Sequence, residues 1–384
     1  MTFEFATATR IVFGAGALQH IGTNVKNYGR RALVVTGHNP QRAKALLTHL
    51  SASGISAAKF PVTGEPEIST IQNGVSLARK ENCDLVIAIG GGSVIDSGKA
   101  IAAMMTNEGD LVNYLEIIGH GKSLTRPSAP FFAIPTTAGT GAEVTRNAVL
   151  ASPEHKVKVS LRSPFILPSI AVVDPELTYD LPPVFTATTG LDALTQLIEP
   201  YVCLRANPMT DGFCEQGIVR AARSLRIAVF NGQNKAARED MALASLLGGL
   251  SLANAGLGAV HGFAGPIGGM FPAPHGAVCA ALLPQVMAAN LRALRKRAPD
   301  SPALPRYEKV SKLLTGKADA TADDGVEWVW KLVADLPVPK LGAYGIREIH
   351  VASIAAKATN ASSMKANPIS LTPDELAQTL QMAL

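Results

Sequence analysis

Cysteine is scarce in this sequence, and no cysteine motif is present. Only four cysteines occur among 384 residues, at Cys83, Cys203, Cys214 and Cys279, and none belongs to a Cys-x-x-Cys pair. This scatter excludes a disulfide framework and is typical of reduced thiols. The opening stretch MTFEFATATR also lacks the basic and apolar segments of a secretory signal. We therefore expect a cytoplasmic protein.

Charge of either sign is sparse and is not clustered. Charged residues make up 17% of the chain, and the formal net charge is +5 without any basic run. This balance argues against a nucleic-acid partner and suits anionic small molecules. The uncharged stretch Met241–Val260 has the length of a membrane span, but it contains four glycines and lacks flanking aromatic belts. We interpret it as a helix buried in a helical domain and expect no membrane association.

Strand-like and helix-like patterns alternate over roughly the first 175 residues. The predicted strands are short apolar runs bounded by Gly, Pro or polar residues, at 10–13, 31–36, 58–62, 85–89, 131–134, 157–161 and 170–173. Such alternation predicts an α/β domain with a doubly wound parallel sheet, which we assign to residues 1–180.

No convincing strand pattern follows Pro182. The remaining segments have helical periodicity, at 186–203, 208–230, 236–260, 277–294, 305–314, 325–336 and 346–359. A last helix is indicated by Thr372-Pro373-Asp374-Glu375, because Thr is a good N-cap and Pro and Glu suit the first and third helical positions. We expect an all-helical domain over residues 181–384.

Three consecutive glycines follow the apolar run 85–89 and lead directly into a helix that starts at Ser93. Bare backbone N–H groups beside the positive end of a helix dipole form a phosphate site. The alternative is a glycine turn that only closes the strand–helix unit. Asp96 and Lys99, in the first turns of that helix, favour a polar ligand, so we predict phosphate binding.

Two familiar phosphate loops do not fit this stretch. The Gly-x-Gly-x-x-Gly pattern requires a glycine where Ile95 stands, and the P-loop requires Ser or Thr where Ala100 stands.

A second group of polar residues lies among apolar helices. Asp192 and Gln196 are four residues apart and share one helix face. His261 ends a long apolar run, and His275 follows after several Gly and Pro residues. One carboxylate and two imidazoles from separate helices can bind a divalent metal, although each histidine alone also fits a hydrogen-bonded core position.

Taken together, these stretches resemble the iron-containing (group III) alcohol dehydrogenase family. The motifs that carry the resemblance follow the family's order and cover about residues 10 to 290: RIVFGAGAL (10–18), IGGGSVIDSGKAIA (89–102), PTTAGTGAEVT (135–145), VDPEL (173–177), TGLDAL (189–194) and HGFAGPIGGMFPAPHG (261–276).

The resemblance implies a Rossmann-like N-terminal domain, an all-helical C-terminal domain and an active site in the cleft between them. It implies transfer of hydride between NAD or NADP and an alcohol or its aldehyde or ketone, in a homo-oligomer that we take to be a dimer. The residues it assigns to the cofactor are Gly37, Gly91, Gly92, Ser93, Asp96, Thr136, Thr137, Thr140 and Lys158. Asp192, His261 and His275 match metal ligands, and the two histidines are also the catalytic candidates.

This sequence departs from the family's pattern at two positions. Gln196 stands where the family places its fourth ligand, a histidine, and Gly265 stands where a further histidine follows His261. An amide oxygen is a poorer donor for Fe²⁺ or Zn²⁺ than an imidazole nitrogen, so we expect weakened metal binding. Without a metal, His261 or His275 would act as the general acid.

The strand 31–36 ends where NAD-selective members of the family place an aspartate. Here Gly37, His38 and Asn39 follow, and no carboxylate opposes a 2′-phosphate. We therefore predict that NADPH is accepted at least as well as NADH. The alternative is that Gly37 only closes the turn.

Other functions are also compatible with the sequence. The family also includes maleylacetate reductase-type enzymes, and the dehydroquinate synthases share the architecture and use NAD catalytically. Few charged residues between 186 and 276 would suit the phosphorylated carboxylate of a dehydroquinate synthase substrate. A third possibility is a nucleotide-binding protein whose metal site has degenerated. The identity of the substrate does not follow from the sequence.

Overall fold

The computed structural model describes residues 2–384, which divide into two compact units. The α/β unit comprises Phe5–Thr137 and Gly141–Tyr179. The helical unit comprises residues 2–4, Ala138–Thr140 and Asp180–Leu384. The strands of the described chain all lie in the α/β unit, in agreement with the predicted fold class.

The α/β unit contains eight strands. They are β1 (Arg10–Phe13), β2 (Arg31–Thr36), β3 (Ser56–Pro61), β4 (Leu85–Gly90), β5 (Phe131–Pro135), β6 (Asn147–Ser152), β7 (Val157–Arg162) and β8 (Ile170–Val173). Six of them form one parallel sheet in the order β1-β8-β5-β4-β2-β3. The central strands are buried along their whole length, which explains their unbroken apolar runs.

Helices cover both faces of this sheet. They are α1 (Ile21–Val25), α2 (Lys44–Ala52), α3 (Ile68–Lys80) and α4 (Gly92–Thr106). The apolar residues of α1 and α2 belong to one core cluster, and those of α3 and α4 belong to another. The sheet is therefore doubly wound, as the sequence predicts.

The predicted strand 157–161 exists but does not belong to the main sheet, and the strand β6 was not predicted. We expected 157–161 to extend the parallel sheet, but β7 pairs antiparallel with β6 in a separate two-stranded hairpin. A tight turn joins them, in which the Lys156 N–H donates to the Pro153 carbonyl and Lys156 has a φ of 51°. The connection between β6 and β7 is thus too short for the crossover that a parallel pair requires.

The described part of the helical unit has nine α-helices. They are α5 (Pro183–Val202), α6 (Pro208–Phe230), α7 (Lys235–Asn254), α8 (Ala259–Met270), α9 (His275–Arg297), α10 (Ala303–Thr315), α11 (Ala322–Asp335), α12 (Val351–Thr359) and α13 (Pro373–Gln381). The capping box predicted for the last of them is present, since Thr372 and Glu375 bond each other's backbone N–H.

The single helix predicted over 236–260 is instead two helices with a 95° bend between α7 and α8. Gly256, at a φ of 108°, allows the sharp turn, because residues other than glycine rarely adopt that conformation. The second helix then continues through Gly265 and Pro266 to Met270. As a result, His261 lies near the start of a helix and not at the end of one.

One helix of the described chain, α9, is long and apolar enough to cross a membrane, and α7 with α8 would pass the same test as a bent pair. In α9, 83% of the most apolar 18-residue stretch is buried inside the protein. That burial is typical of a core helix.

Candidate metal centre and cofactor-binding loop

Helix α5 presents three polar side chains on one buried face. Asp192, Gln196 and Glu199 are spaced by four and then three residues, so they line up along the helix. Each is at most 5% exposed. The sequence indicated Asp192 and Gln196 but missed Glu199, whose signal was its position seven residues after Asp192.

His261 is the third residue of α8, and it lies between two of these carboxylates. Its Nδ1 is 2.6 Å from Glu199 Oε2. Its Nε2 is 3.4 Å from Asp192 Oδ1. A carboxylate that bonds one ring nitrogen fixes the tautomer and aims the other nitrogen at the ligand position. Glu199 therefore orients His261 toward Asp192.

The beginning of α8 is fixed by side chains from distant parts of the helical unit. Glu199 Oε1 accepts the Val260 N–H at 2.7 Å, and Asn367 Oδ1 accepts the Ala259 N–H at 3.1 Å. The N-cap is Gly258, and a Cβ there would lie 2.9 Å from both acceptor oxygens. A glycine is therefore required for these two oxygens to reach the first N–H groups of the helix.

Helix α9 contributes two more donors. His275 is its first residue, and its Nε2 lies 3.6 Å from Asp192 Oδ1. Cys279 follows one turn later, with Sγ 3.6 Å from His275 Nε2 and 3.9 Å from His261 Nε2. The four donor atoms of Asp192, His261, His275 and Cys279 all lie within 4.8 Å of one another. Cys279 was not among the predicted ligands, although its spacing from His275 places both on one helix face.

The electrostatics of this cluster favour positive charge. Burial raises the pKa of the Asp192 carboxyl, but His275, His261 and a hydrogen bond from Gln196 outweigh that effect and lower the pKa to about 2. Burial lowers the pKa of His261, yet Cys279, Glu199 and Asp192 hold it well above its usual range. Within residues 2–384, Asp192 Oδ1 and Gln196 Oε1 are buried and find no hydrogen-bond partner. Buried oxygens without partners are costly, and a divalent cation would satisfy them.

At the other departure from the family's pattern, Gly265, a Cβ would meet no atom within 4 Å. The position therefore has room for a side chain that this sequence does not supply. Asp192, His261 and His275 converge as the resemblance implied, while the histidines expected at 196 and 265 are missing.

The glycine stretch after β4 forms the N-terminus of α4. Gly91 is the N-cap, and no side chain caps the helix. A Cβ at Gly90 would lie 2.6 Å from the Val94 side chain, so the chain must be bare there to turn into the helix. The first N–H groups of a helix have no partner within it, and together with the helix dipole they suit a phosphate.

The sheet topology brings several predicted cofactor residues to one edge. Strands β2 and β4 are neighbours, and α2 and α4, which follow them, pack on opposite faces of the sheet. Where the helices that follow two neighbouring strands lie on opposite faces, a crevice forms at the carboxyl ends of those strands. Ligands bind in this crevice in open α/β sheets. Gly37 lies at this edge, and a Cβ added to it would lie 3.8 Å from the Val94 side chain. A Cβ added to Gly91 would lie 3.5 Å from the Thr137 side chain.

The remaining predicted cofactor residues are distributed differently. Thr136 follows β5 and donates its N–H to the Gly90 carbonyl at 2.9 Å, so it adjoins the glycine stretch. Lys158 lies on β7 and forms an ion pair with Glu65, with Nζ 2.8 Å from Oε1. Thr140 belongs to the helical unit.

Asp96 and Lys99 point into the α/β unit and form a buried network. Asp96 Oδ2 accepts the Val149 N–H at 2.9 Å, and its Oδ1 is 3.4 Å from Lys99 Nζ. Lys99 Nζ also donates to Thr145 Oγ1 and to the Asn147 carbonyl, each at 2.8 Å. These bonds tie α4 to the hairpin.

Glu143 is close to this network and is also buried. Burial raises the pKa of Glu143 to about 7, and Lys99 only partly opposes the shift. Burial likewise raises the pKa of Asp96 and lowers that of Lys99.

Two family models match the chain almost from end to end. The model "Iron-containing alcohol dehydrogenase" matches residues 8–175, and "Fe-containing alcohol dehydrogenase family, C-terminal" matches residues 186–384. A 1,3-propanediol dehydrogenase from Citrobacter freundii is 38% identical over 392 residues, covering 99% of this chain and 98% of its own. An NAD-dependent methanol dehydrogenase from Bacillus methanolicus is 34% identical over 379 residues, covering 97% of each chain.

Solved structures give the same result. The crystal structure of a 1,3-propanediol oxidoreductase superposes with a TM-score of 0.93 at 35% sequence identity, covering 100% of both chains. These matches favour the dehydrogenase interpretation over the lyase-type alternative. The fold, the order of motifs and the similarity along the whole chain agree: the protein belongs to the iron-containing alcohol dehydrogenase family, and it is an oxidoreductase that interconverts an alcohol and its carbonyl compound.

Proposed function

We propose that this protein is a cytoplasmic, homodimeric dehydrogenase that uses NAD or NADP and a divalent metal to interconvert a small alcohol and its aldehyde or ketone. One observation carries the proposal: Asp192, His261 and His275 converge from three helices, and two buried oxygens beside them have no partner. Three protein ligands of this type suffice for a catalytic zinc ion. NAD use is further supported by the methanol dehydrogenase relative, which is named NAD-dependent.

Each residue of the cluster has a distinct task in this proposal. Asp192 supplies a carboxylate that remains ionised at neutral pH, because its pKa is about 2. Glu199 keeps the proton on His261 Nδ1, so that Nε2 presents its lone pair to the ion. A bound divalent ion would act as a Lewis acid that favours the alkoxide form of the substrate.

The α/β unit holds the cofactor in this proposal. The backbone N–H groups at Gly91, Gly92 and Ser93 bind the pyrophosphate, and Thr136 and Thr137 flank it from the next strand. Lys158 is proposed to reach the nicotinamide ribose, as its counterpart in the family does. The bound cofactor would supply or accept the hydride of the reaction.

A proton must also leave the alcohol during oxidation. The His275 side chain is 35% exposed, whereas that of His261 is 7% exposed and already bonded to Glu199. An imidazole whose Nε2 binds an ion has no basic nitrogen left, so with the ion bound the proton would pass directly to water. Without the ion, we propose that His275 transfers this proton to water, since it is the more accessible of the two. Such general acid–base assistance typically contributes about 100- to 10,000-fold.

The relatives suggest which substrates to test first. The names of two of them refer to 1,3-propanediol and methanol, and both cover nearly the whole chain. We propose a short aliphatic alcohol or diol, with its aldehyde as the reverse substrate.

The test is a spectrophotometric assay of NADH and NADPH oxidation with a panel of short aldehydes. We expect turnover in wild-type protein, loss of most turnover after chelation, and recovery when Zn²⁺ or Fe²⁺ is restored. Asp192→Asn should lower turnover by about 100-fold or more, because the ion loses its only carboxylate. Asp323→Asn is the matched control, since Asp323 is exposed and pairs with Arg295 in the same unit. Full turnover in protein free of metal would refute the metal-dependent mechanism.

A further inference from the structure

Cys279 differs in its polar neighbours from Cys214, another buried thiol of the helical unit. Both are fully buried and both contribute to the apolar cluster between the helices. Cys279 faces two imidazole nitrogens at 3.6 and 3.9 Å, and the unpartnered Asp192 Oδ1 belongs to the same group of donor atoms. A thiol placed among metal-binding donors has a chemistry that a core thiol lacks.

The spacings match those around a tetrahedral zinc ion. Zn–N and Zn–O bonds of about 2.0–2.1 Å and a Zn–S bond of about 2.3 Å separate N from O by about 3.4 Å, and N from S by about 3.6 Å, at a tetrahedral angle. In the structure the N–O distances from Asp192 Oδ1 are 3.4 Å to His261 and 3.6 Å to His275. The N–S distances are 3.6 and 3.9 Å. Four of the six donor–donor distances thus agree with those around one tetrahedral ion, and the remaining two are at most 4.8 Å.

Gln196 is less suited to the fourth position. Its side chain already gives a hydrogen bond to Asp192, and its oxygen is a neutral amide oxygen. A thiolate is a charged and softer donor that zinc prefers.

We propose that Cys279 is the fourth protein ligand of the metal and replaces the histidine that this sequence lacks at position 196. The set is then one carboxylate, two imidazoles and one thiolate, which selects Zn²⁺ over Fe²⁺. The thiol proton is released to solvent when the ion binds. Zinc accepts a fifth ligand during catalysis, so four protein ligands still leave a place for a substrate oxygen. This inference rests on the metal site of the proposed function.

Cobalt substitution tests the thiolate directly, without any activity measurement. Metal-free protein is loaded with Co²⁺, and its near-ultraviolet absorption is recorded. We expect an intense thiolate-to-cobalt charge-transfer band in wild type. Cys279→Ser should abolish that band, and Cys214→Ser, the matched control, should retain it. Circular dichroism of the metal-free proteins establishes that each variant is folded.

Zinc affinity gives a second readout by competition with a chromophoric chelator. We expect Cys279→Ser to weaken zinc binding by about 10-fold or more, whereas Cys214→Ser leaves it unchanged. Cys279→Asn, a second variant, should behave like Cys279→Ser.

Three outcomes would overturn the inference. The first is a wild-type cobalt spectrum without the charge-transfer band, and the second is unchanged zinc affinity in folded Cys279→Ser. The third is a Gln196→Ala variant that loses zinc binding while Cys279→Ser keeps it. In all three, metal binds and the proposed function stands. If no ion binds at all while alcohols are still oxidised, both the thiolate ligand and the metal mechanism are refuted.

Discussion

A single carboxylate connects the candidate metal site to the backbone that supports it. Glu199 uses one oxygen to orient His261 and the other to accept the Val260 N–H at the start of α8. The ligand's ring orientation and the position of its helix therefore depend on the same side chain. Groups that hold a metal ligand in this way typically matter almost as much as the ligand.

Replacing Glu199 by Gln keeps its size and removes its charge. We expect the Glu199→Gln variant to lose about 10- to 100-fold in zinc affinity or in kcat, since the amide no longer fixes the tautomer of His261. Competition with a chelator and steady-state kinetics measure the two effects. Glu215→Gln, a change of the same kind on α6, where Glu215 bonds the Tyr201 hydroxyl and is not one of the clustered donors, serves as the control. Equal zinc affinity and kcat in Glu199→Gln and wild type would show that His261 is oriented by its packing alone.

Glu143 predicts a pH dependence of stability in the α/β unit. Its folded pKa, raised by burial to about 7, exceeds that of an unfolded glutamate, so the folded state binds the proton more tightly. The resulting stabilisation is fully present below the unfolded pKa, about 4.3, and is lost as the pH rises through about 7.

The Glu143→Gln variant should remove this slope. We expect its free energy of unfolding, relative to wild type, to increase by about 1–3 kcal/mol between pH 4.5 and pH 8. Urea titrations at a series of pH values measure the difference. A constant difference across that range would contradict a raised pKa for Glu143.

The sequence indicated three of the four clustered donors but not the fourth. Three donors could be identified from the sequence because they stand in family motifs with Gly and Pro nearby: Asp192, His261 and His275. Cys279 lies in the apolar run Ala277–Ala280, where a thiol looks like any small core residue. Its role depends on the helix that places it one turn after His275, and that placement is a property of the fold.

The bend between α7 and α8 shows where sequence patterns fail for whole elements. Apolar periodicity continues across Ala255–Gly258, so the pattern predicts one helix. Long-range bonds from Glu199 and Asn367 start a new helix there, and no local pattern reveals them. The antiparallel β6–β7 pair was missed for a related reason, because its strands contact each other across a short turn and do not join the main sheet.

The loop from β4 to α4 should be sensitive to a side chain. We expect Gly92→Val to weaken NADPH binding by about 10-fold or more, since a β-branched residue blocks the approach of the backbone to the pyrophosphate. Fluorescence titration with NADPH measures the affinity. Gly212→Val in α6 is the matched control, because a Cβ there meets no atom within 4 Å. Unchanged affinity in Gly92→Val would remove this loop from the cofactor site.

The end of β2 should set the choice of cofactor. Gly37 and exposed His38 follow the strand, and Asn39 caps the next turn by accepting the Gln41 N–H. No carboxylate repels a 2′-phosphate here, so we expect kcat/KM for NADPH to equal or exceed that for NADH. Gly37→Asp should shift the preference toward NADH. A wild-type kcat/KM for NADH more than about tenfold above that for NADPH would contradict the prediction.

The two kinds of ligand should stabilise different halves of the molecule. Asp192, His261, His275 and Cys279 all belong to the helical unit, whereas the glycine stretch belongs to the α/β unit. A ligand at 100 times its Kd adds about 2.7 kcal/mol to the stability of what it binds.

Hydrogen exchange resolves this effect by segment. We expect zinc to slow exchange mainly in α5, α8 and the start of α9, and NADPH to slow it mainly around β4 and α4. Removal of zinc with a chelator should reverse only the first effect. Uniform protection of the whole chain by either ligand would show that the units do not open separately.

The contact between Asn367 and the start of α8 bears on how the enzyme is made. The proposed ligand residues end at Cys279, yet the Ala259 N–H beside His261 is satisfied by the side chain of Asn367, which is synthesised 88 residues later. A ribosome-bound chain that has just produced all four donors therefore still lacks the group that completes their support. We therefore expect the metal to bind after the finished polypeptide is released. A chain truncated before Asn367 would keep every proposed ligand residue but should bind the metal poorly.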